Sequence, residues 1–283
     1  MCAVCMGQHE TSPEISVLMG IYYQRDSLEL LRRSIRSILE QSFSNFEFLI
    51  CDDGSSQMAR SCIRTFAEKD PRIRMVERCD LFTLSAKLNA CLREAKGPFI
   101  ARMDDDDYSH PDRFEKQVSY LKENPGINIC GSNVELWENG RYIGKQKLPE
   151  HPDVKDFLFT QPYIHPSIMF RRSALLTVEG YSDDKRCILC EDYDLLLRLY
   201  EKGCQGVNLQ ECLLDYTVSD TAKSGRKMPA RWNEVVTRYR RFRSLNLLPL
   251  AWPYVIKPIA VGLLPKKIVQ EMKKKRNEKR CRQ

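Results

Sequence analysis

The sequence predicts an α/β fold in which a mostly parallel central sheet carries helices on both faces. Compact apolar runs, typical of strands buried on both faces, lie at residues 15–23, within 46–56, at 72–76 and at 98–103. Segments with helical periodicity separate these runs, and the connections between them are short. This alternation of strands and helices is typical of parallel sheets.

Helices are predicted between the apolar runs. In the first, at residues 27–41, Leu28, Leu31 and Ile35 fall at helical spacing while the arginines lie largely on other faces. Another is predicted at 84–97, with its last glycine in the position that closes a helix. Because each lies between two predicted strands, these helices would cover the faces of the sheet.

The second half of the chain alternates less regularly and gives the domain division. We predict one α/β domain at residues 14–220, with halves at 14–110 and 111–220, followed by a helical extension with a basic tail at 221–283. The elements predicted in the second half are a helix at 113–124, strands at 127–136 and 163–171, and a helix from Asp192 to Gly203.

Composition and cysteine usage point to a reduced, globular protein. The chain is 42% hydrophobic and 29% charged, which is ordinary for a soluble domain. Its first residues lack the basic start and apolar stretch of a signal peptide. Twelve cysteines include two CxxC pairs, Cys2/Cys5 and Cys187/Cys190, but no histidine pair is spaced to complete a zinc site. We expect buried free thiols and a cytoplasmic location.

The positive charge is concentrated in the C-terminal tail. Residues 265–283 contain nine Lys or Arg against two Glu, a charge of +7 that equals the net charge of the whole chain. The apolar stretch before it, at 250–264, is shorter than the about 20 residues that span a bilayer. We expect residues 250–283 to bind an anionic membrane surface, as a peripheral contact on its inner face. The alternative is a solvated tail; nucleic-acid binding is not favoured, because the basic run has no interleaved aromatics.

Two acidic groups stand where predicted strands end. Asp52 and Asp53 follow the second strand, and four consecutive aspartates, 104–107, follow the fourth. Four adjacent carboxylates repel one another unless a cation compensates them. One such group alone could be a solvated turn, but ligands of parallel sheets collect at the carboxyl ends of the strands. The two groups therefore predict a ligand site with a bound cation.

Several motifs, in order, resemble the family 2 glycosyltransferases of the GT-A (Rossmann-like) fold. They are ISVLMGIYYQRD, FEFLICDDGSS, AKLNACLREAKGPFIARMDDDDYSHPDRFEKQ, HPSIMFRRSAL and EDYDLLLRL, and they cover roughly residues 14–215. The resemblance implies an inverting transfer of a hexose or N-acetylhexosamine from a nucleotide-sugar, expected to be UDP-linked, to a glycan or lipid-linked acceptor. Mn²⁺ or Mg²⁺ would neutralise the leaving diphosphate. The motifs are most similar to those of bacterial enzymes that build surface polysaccharides.

The resemblance also assigns residues of the donor side, in the nucleotide-binding half. Asp106 matches the second acidic position of the DxD element and is the expected metal ligand; Asp104, at the first, would face metal or ribose. Asp105 occupies the variable position, and Asp107 is expected to be structural or to start a helix. The residues alone leave an alternative to nucleotide binding at two positions: Tyr22 could be part of the core, and Lys87 could be an ordinary surface lysine. The full nucleotide-binding set is Gly20, Tyr22, Asp53, Lys87 and Asp104, with Asp52 orienting the turn.

On the acceptor side, the resemblance makes Asp192 the catalytic base. An inverting transfer needs one group that takes the proton of the acceptor hydroxyl. The alternative for Asp192 is a helix N-cap, which aspartates favour. Glu191 would contact the acceptor, His165 would contact substrate or satisfy a buried hydrogen bond, and Asp194 is a weaker candidate for the base.

Two other functions remain open from the sequence. A nucleotidyltransferase that makes a nucleotide sugar would also use carboxylates at strand ends, but GIYYQRDSLE lacks the Gly-rich, basic triphosphate loop. A non-catalytic nucleotide-sugar-binding protein would keep the fold and lose the base or the metal ligands, and both are present here.

Overall fold

In the computed structural model, residues 12–77, 83–218 and 227–264 are described, and their strands form one sheet. The strands are β1 (Ile15–Ile21), β2 (Phe46–Asp52), β3 (Ile73–Met75), β4 (Phe99–Arg102), β5 (Tyr108–Ser109), β6 (Ile127–Glu138), β7 (Arg141–Gln146), β8 (Met169–Arg171) and β9 (Gln205–Thr217). The helices are α1 (Glu29–Leu39), α2 (Gln57–Lys69), α3 (Leu84–Glu94), α4 (Arg113–Glu123), α5 (Asp156–Phe159), α6 (Arg172–Thr177), α7 (Glu191–Glu201), α8 (Met228–Ser244) and α9 (Trp252–Leu263), with short 3₁₀ turns at His165–Ser167 and Lys185–Cys187.

The sheet is parallel in its first half and mixed in its second. Its order is β3-β2-β1-β4-β8-β6-β9-β5, with β7 paired to β6. The β1–β2, β1–β4 and β2–β3 pairs are parallel, as predicted. Strand β8 then lies antiparallel between β4 and β6, and β6 pairs in parallel with β9. The predicted α/β class is confirmed, and the second half adds antiparallel pairs to the parallel core.

Two apolar clusters, one on each face of the sheet, explain why the strands are apolar throughout. Val17 and Met19 of β1 belong to one cluster, together with Ile35 of α1. Leu18, between them in sequence, belongs to the other, together with Leu88 of α3. Successive strand residues point to opposite faces, so a strand covered by helices on both faces is buried at nearly every position.

The predicted role of Gly97 was wrong. Helix α3 ends at Glu94, and Ala95 is its C-cap residue. Gly97 instead lies against β1, where an added Cβ would stand 2.8 Å from Ile15 C and Ser16 N. The glycine is required by close backbone packing rather than by the helix end.

Helices α8 and α9 share an apolar cluster with α7. Phe242 of α8 and Val255 of α9 are buried in the same apolar cluster as Leu196 of α7. No helix in the three described ranges is long and apolar enough to cross a membrane. The basic run at 265–283 and the Cys2/Cys5 pair lie outside the described residues, and the described cysteines, including Cys187 and Cys190, are free thiols.

Candidate active site

The nucleotide-binding candidates meet where β1 and β2 end. Tyr22 directly follows β1 and is 64% exposed, so the alternative of a core tyrosine was wrong. Asp53 carries a buried Oδ2 atom that has no hydrogen-bond partner within the described part of the chain. Asp52 Oδ1 accepts a hydrogen bond from Ser55 N at 3.1 Å, which holds the turn as expected. An exposed ring beside an unpaired buried acceptor suits a planar ligand with N–H or O–H donors.

Lys87 lies beneath these residues and is not a surface lysine. It projects from α3, is 5% exposed, and its Nζ donates to the carbonyl of Ile21 at 2.8 Å. Burial lowers the pKa of Lys87, and nearby Asp53 and Asp52 act in the opposite direction. Gly20 permits this approach, because a Cβ there would lie 3.0 Å from Lys87 Cβ. Gly20 therefore lets α3 approach β1 and place a cation at the strand ends.

Side-chain cations of the chain itself partly compensate the four aspartates. Arg25 Nη2 lies 2.5 Å from Asp106 Oδ2. The buried Arg102 forms an ion pair with Asp104. Asp107 is buried and accepts a hydrogen bond from the backbone N–H of Thr217 at 2.7 Å, which agrees with its expected structural role. Arg25 and Arg102 were missed from the sequence, although an arginine in an apolar strand, two residues before four aspartates, was a usable signal.

The aspartate cluster has the electrostatic character of a cation site. Burial, followed by repulsion from Asp106 and Asp104, raises the pKa of Asp105 to about 7. Burial and Asp104 likewise raise the pKa of Asp106, against the effect of Arg25. A divalent cation would stabilise the ionised forms that burial disfavours. The donor set, carboxylate oxygens at a strand end, also matches what Mg²⁺ and Mn²⁺ prefer.

A second group of possible metal ligands lies along β9. Ligand atoms of His110, Glu135 and Asp215 all fall within 4.8 Å of one another. His110 Nε2 is 2.8 Å from Asp215 Oδ1, and Arg33 forms an ion pair with the same carboxylate. Asp215 is thus already compensated by cationic or hydrogen-bonding groups of the chain. Sequence spacing did not indicate this group, since His110 follows β5, Glu135 lies in β6 and Asp215 lies in β9.

One cavity brings Asp104 together with the acceptor-side candidates. It has a volume of about 500 Å³, within the range of about 300–1,000 Å³ typical of ligand sites. The lining residues that matter for chemistry are Arg102, Asp104, His165, Glu191, Asp192 and Tyr216. Gly20, Tyr22, Asp53 and Lys87 form the separate group at the ends of β1 and β2, and Asp106 faces Arg25. The cavity therefore connects the donor-side strand end with the first turn of α7.

Asp192 lies inside the first turn of α7 rather than at its cap. The N-cap residue is Cys190, so the N-cap alternative for Asp192 was wrong. Its Oδ1 accepts a hydrogen bond from Tyr193 N at 2.8 Å. Asp194, two residues further along α7, is buried between two arginines. Its Oδ2 lies 2.7 Å from Arg198 Nε, and its Oδ1 lies 2.8 Å from Arg241 Nε. Of the two aspartates, Asp192 lines the cavity and Asp194 is part of a structural ion-pair network.

His165 satisfies a buried hydrogen bond and also lines the cavity. Its Nε2 is 2.7 Å from the hydroxyl of Tyr181. Burial, and then the charge of Arg102, hold the pKa of His165 well below its usual range. The imidazole is therefore neutral at physiological pH, and it can offer a hydrogen bond without adding charge to the cavity.

The sequence model described as Glycosyl transferase family 2 matches residues 16–178, more than half of the chain. The chain belongs to this family. Membership supports a glycosyltransferase over the nucleotidyltransferase alternative. EpsE of Bacillus subtilis (strain 168) is 33% identical over 267 residues, 94% of this chain and 95% of EpsE. The O-antigen biosynthesis glycosyltransferase WbnJ of Escherichia coli is 34% identical over 211 residues, 72% of this chain and 79% of WbnJ.

Solved glycosyltransferases share the fold of this family member. S. aureus TarS residues 1–349, in complex with UDP-GlcNAc, matches with a TM-score of 0.67 at 15% identity, over 86% of this chain and 73% of that chain. The mannosyltransferase PcManGT of Pyrobaculum calidifontis, in complex with GDP-Man and Mn²⁺, matches with a TM-score of 0.58 at 18% identity, over 93% and 80%. The GT-A fold predicted from the motifs is confirmed.

Proposed function

We propose that the protein is an inverting, metal-dependent glycosyltransferase that moves a hexose or N-acetylhexosamine from a UDP-sugar to a glycan or lipid-linked acceptor in polysaccharide biosynthesis. The observation that supports this most strongly is the single cavity that contains both Asp104, at a strand end, and Asp192, at the start of α7. A donor held at the aspartates would expose its anomeric carbon to the same space in which Asp192 meets an acceptor. The similarity to an O-antigen enzyme supports the polysaccharide role.

On the donor side, the residues around the strand ends would hold the nucleotide. Tyr22 offers an exposed ring for stacking on the base, and the unpaired Oδ2 of Asp53 can accept a hydrogen bond from uracil or ribose. Lys87 lies below them, with its Nζ 5.6 Å from the centre of the Tyr22 ring, and its charge is placed to attract the diphosphate. Asp104 and Asp106 would hold Mn²⁺ or Mg²⁺, which neutralises the charge that builds on the leaving diphosphate.

On the acceptor side, Asp192 would act as general base. Its carboxylate takes the proton of the acceptor hydroxyl while that oxygen attacks the anomeric carbon on the side opposite the leaving UDP. The C–O bond to the diphosphate breaks as the new glycosidic bond forms, so the configuration inverts. Glu191 and the neutral His165 line the same cavity and are placed to orient the acceptor by hydrogen bonds.

A membrane surface is the proposed site of action. Leu250 and Leu263 are 88% and 75% exposed, and Trp252 and Ile256 on α9 are about half exposed. The chain continues directly from this helix into the basic run at 265–283. Apolar side chains next to a polybasic segment favour binding in the plane of an anionic lipid surface, where each basic residue adds about 1 kcal/mol.

The test of this function is the substitution Asp192→Asn. It should reduce sugar transfer by about 10²-fold or more, the usual effect of losing a general base, and leave binding of UDP with Mn²⁺ unchanged in calorimetry. The matched control is Glu123→Gln, an exposed carboxylate on α4 away from the cavity. Transfer is followed as UDP release from a panel of UDP-sugars with membrane extract as acceptor. Near-normal turnover by the Asp192→Asn protein would contradict the assignment.

A further inference from the structure

The C-terminal helices contribute side chains to the catalytic cavity. Glu234 and Arg238 of α8 and Lys257 of α9 line it together with Asp192. All three lie beyond residues 16–178, the part of the chain that the family model matches. Helices α8 and α9 therefore build part of the cavity wall, outside the segment that the family model matches.

Arg238 and Lys257 also bind the last two residues of α5. Arg238 Nη1 donates to the carbonyl of Leu158 at 2.7 Å. Lys257 Nζ donates to the carbonyl of Phe159 and lies 3.3 Å from the centre of the Phe159 ring. Both Phe159 and Lys257 line the cavity. The cation of Lys257 is thus held at the cavity wall by a contact with another lining residue.

Arg238 is a rigid part of this wall. Its side chain is 4% exposed and pairs with Glu234 at 3.0 Å. Its guanidinium lies 4.9 Å from the ring centre of Tyr193 and 5.9 Å from that of Phe242. With Glu234 counted, α8 and α9 bring a net charge of +1 to the cavity. The other wall, with Asp104, Glu191 and Asp192 against Arg102, is acidic.

We propose that Arg238 and Lys257 form a subsite for the phosphate that joins the acceptor sugar to a lipid. The charge distribution would orient such an acceptor, because its phosphate is attracted to Lys257 and repelled by the carboxylates around Asp192. A neutral sugar hydroxyl is then left facing the base. This subsite rests on the proposed function, since it requires the cavity to be the acceptor site.

The lipid origin of the phosphate follows from the position of Lys257 on α9. The same helix presents the exposed side chains of Trp252 and Ile256. A chain that leaves a phosphate bound at Lys257 can continue along this apolar surface. A free phosphate or a soluble phosphosugar would gain nothing from it, so the observations favour a lipid-linked phosphate.

The test uses farnesyl diphosphate as probe, titrated into the full-length protein already saturated with UDP and Mn²⁺, so that the donor site is filled. We expect binding to the unmodified protein, weakened at least tenfold by Lys257→Gln and restored by Lys257→Arg. The control Lys155→Gln, an exposed lysine just before α5, should bind as the unmodified protein does. Inorganic pyrophosphate and farnesol, which each carry half of the probe, should both bind more weakly.

Three outcomes would overturn the subsite. The first is that farnesyl diphosphate does not bind, and the second is that Lys257→Gln leaves its binding unchanged. The third is that pyrophosphate binds as tightly as farnesyl diphosphate, which would indicate a site for free phosphate. The preceding UDP titration separates this proposal from the proposed function. Absence of UDP binding contradicts the proposed function, and the farnesyl diphosphate titration is then run without UDP, with the same dependence on Lys257 as the criterion.

Discussion

The ion pair between Arg25 and Asp106 predicts that Arg25→Gln will strengthen metal binding. Arg25 follows β1, and its Nη2 lies 2.5 Å from Asp106 Oδ2. If Asp106 is a metal ligand, a divalent cation must displace this guanidinium before it can bind. Glutamine keeps a polar side chain at the position but removes the competing charge.

The exposure of the pair sets the size of the effect. The side chain of Arg25 is 42% exposed and that of Asp106 is 16% exposed, so water and salt screen their attraction. Exposed ion pairs contribute about 0.2–1 kcal/mol. Since about 1.4 kcal/mol corresponds to a tenfold change in affinity, Mn²⁺ should bind about 1.4- to 5-fold more tightly to the Arg25→Gln protein. The difference should shrink as the salt concentration rises.

Free Mn²⁺ is measured by electron paramagnetic resonance during titration of each protein without nucleotide. Arg60→Gln is the matched control, because Arg60 lies 3.9 Å from the carboxylate of Asp52, another strand-end aspartate. This control should bind Mn²⁺ as the unmodified protein does. Equal or weaker Mn²⁺ binding by the Arg25→Gln protein would refute the competition between arginine and metal.

Two further predictions concern the fold and its pH dependence. Gly97→Ala should lower the free energy of unfolding by about 1–3 kcal/mol, because the new Cβ would meet the β1 backbone at 2.8 Å. The control Gly126→Ala has no atom within 4 Å of its new Cβ and should lower the free energy far less in urea unfolding. Equal losses in the two proteins would contradict the packing argument. Because burial and Arg102 depress the pKa of His165, the unfolded chain binds a proton below pH about 6.5 that the native protein excludes. Stability should therefore fall by up to about 1.4 kcal/mol per pH unit as the pH drops below that value. His165→Gln should flatten this dependence in urea unfolding at successive pH values, whereas His151→Gln, at an exposed position, should not. A stability profile that His165→Gln leaves unchanged would show that His165 is not the group responsible.

The strands of the first half were predictable because each is buried on both faces. The apolar runs at 15–23 and 98–103 correspond to β1 at Ile15–Ile21 and β4 at Phe99–Arg102. Their carboxyl ends follow from the parallel order, and so does the convergence of the two acidic groups. This local information was sufficient to place Asp53 and the aspartate cluster at one edge.

The second half was less predictable, because its strand order depends on contacts between distant segments. The run at 163–171 was expected to be one strand, but residues His165–Ser167 form a 3₁₀ turn and only Met169–Arg171 pair in the sheet. Proline at position 166, in that turn, cannot donate to a strand ladder. The antiparallel position of this strand between β4 and β6 has no signal in its own residues.

The partners of the site residues were also hidden from the sequence. Arg25 and Asp106 are separated by 81 residues in the chain, and Lys257 and Phe159 by 98. Neither arginine nor lysine is unusual at its own position in the sequence. Such pairs are determined by how the elements pack, so residue types and spacing predicted Asp106 and the other carboxylates but neither Arg25 nor Lys257.

We expect the aspartate cluster to bind a nucleotide-sugar through a metal ion. The most direct test is a thermal-shift screen of UDP-, GDP-, dTDP- and CMP-sugars, each with Mn²⁺ and with chelator, on the unmodified and Asp106→Asn proteins. We expect UDP-sugars to raise the melting temperature when Mn²⁺ is present. Chelator should abolish this shift, and Asp106→Asn should strongly reduce it. A shift of equal size with chelator, or in the Asp106→Asn protein, would contradict the claim, and so would the absence of a shift with every donor.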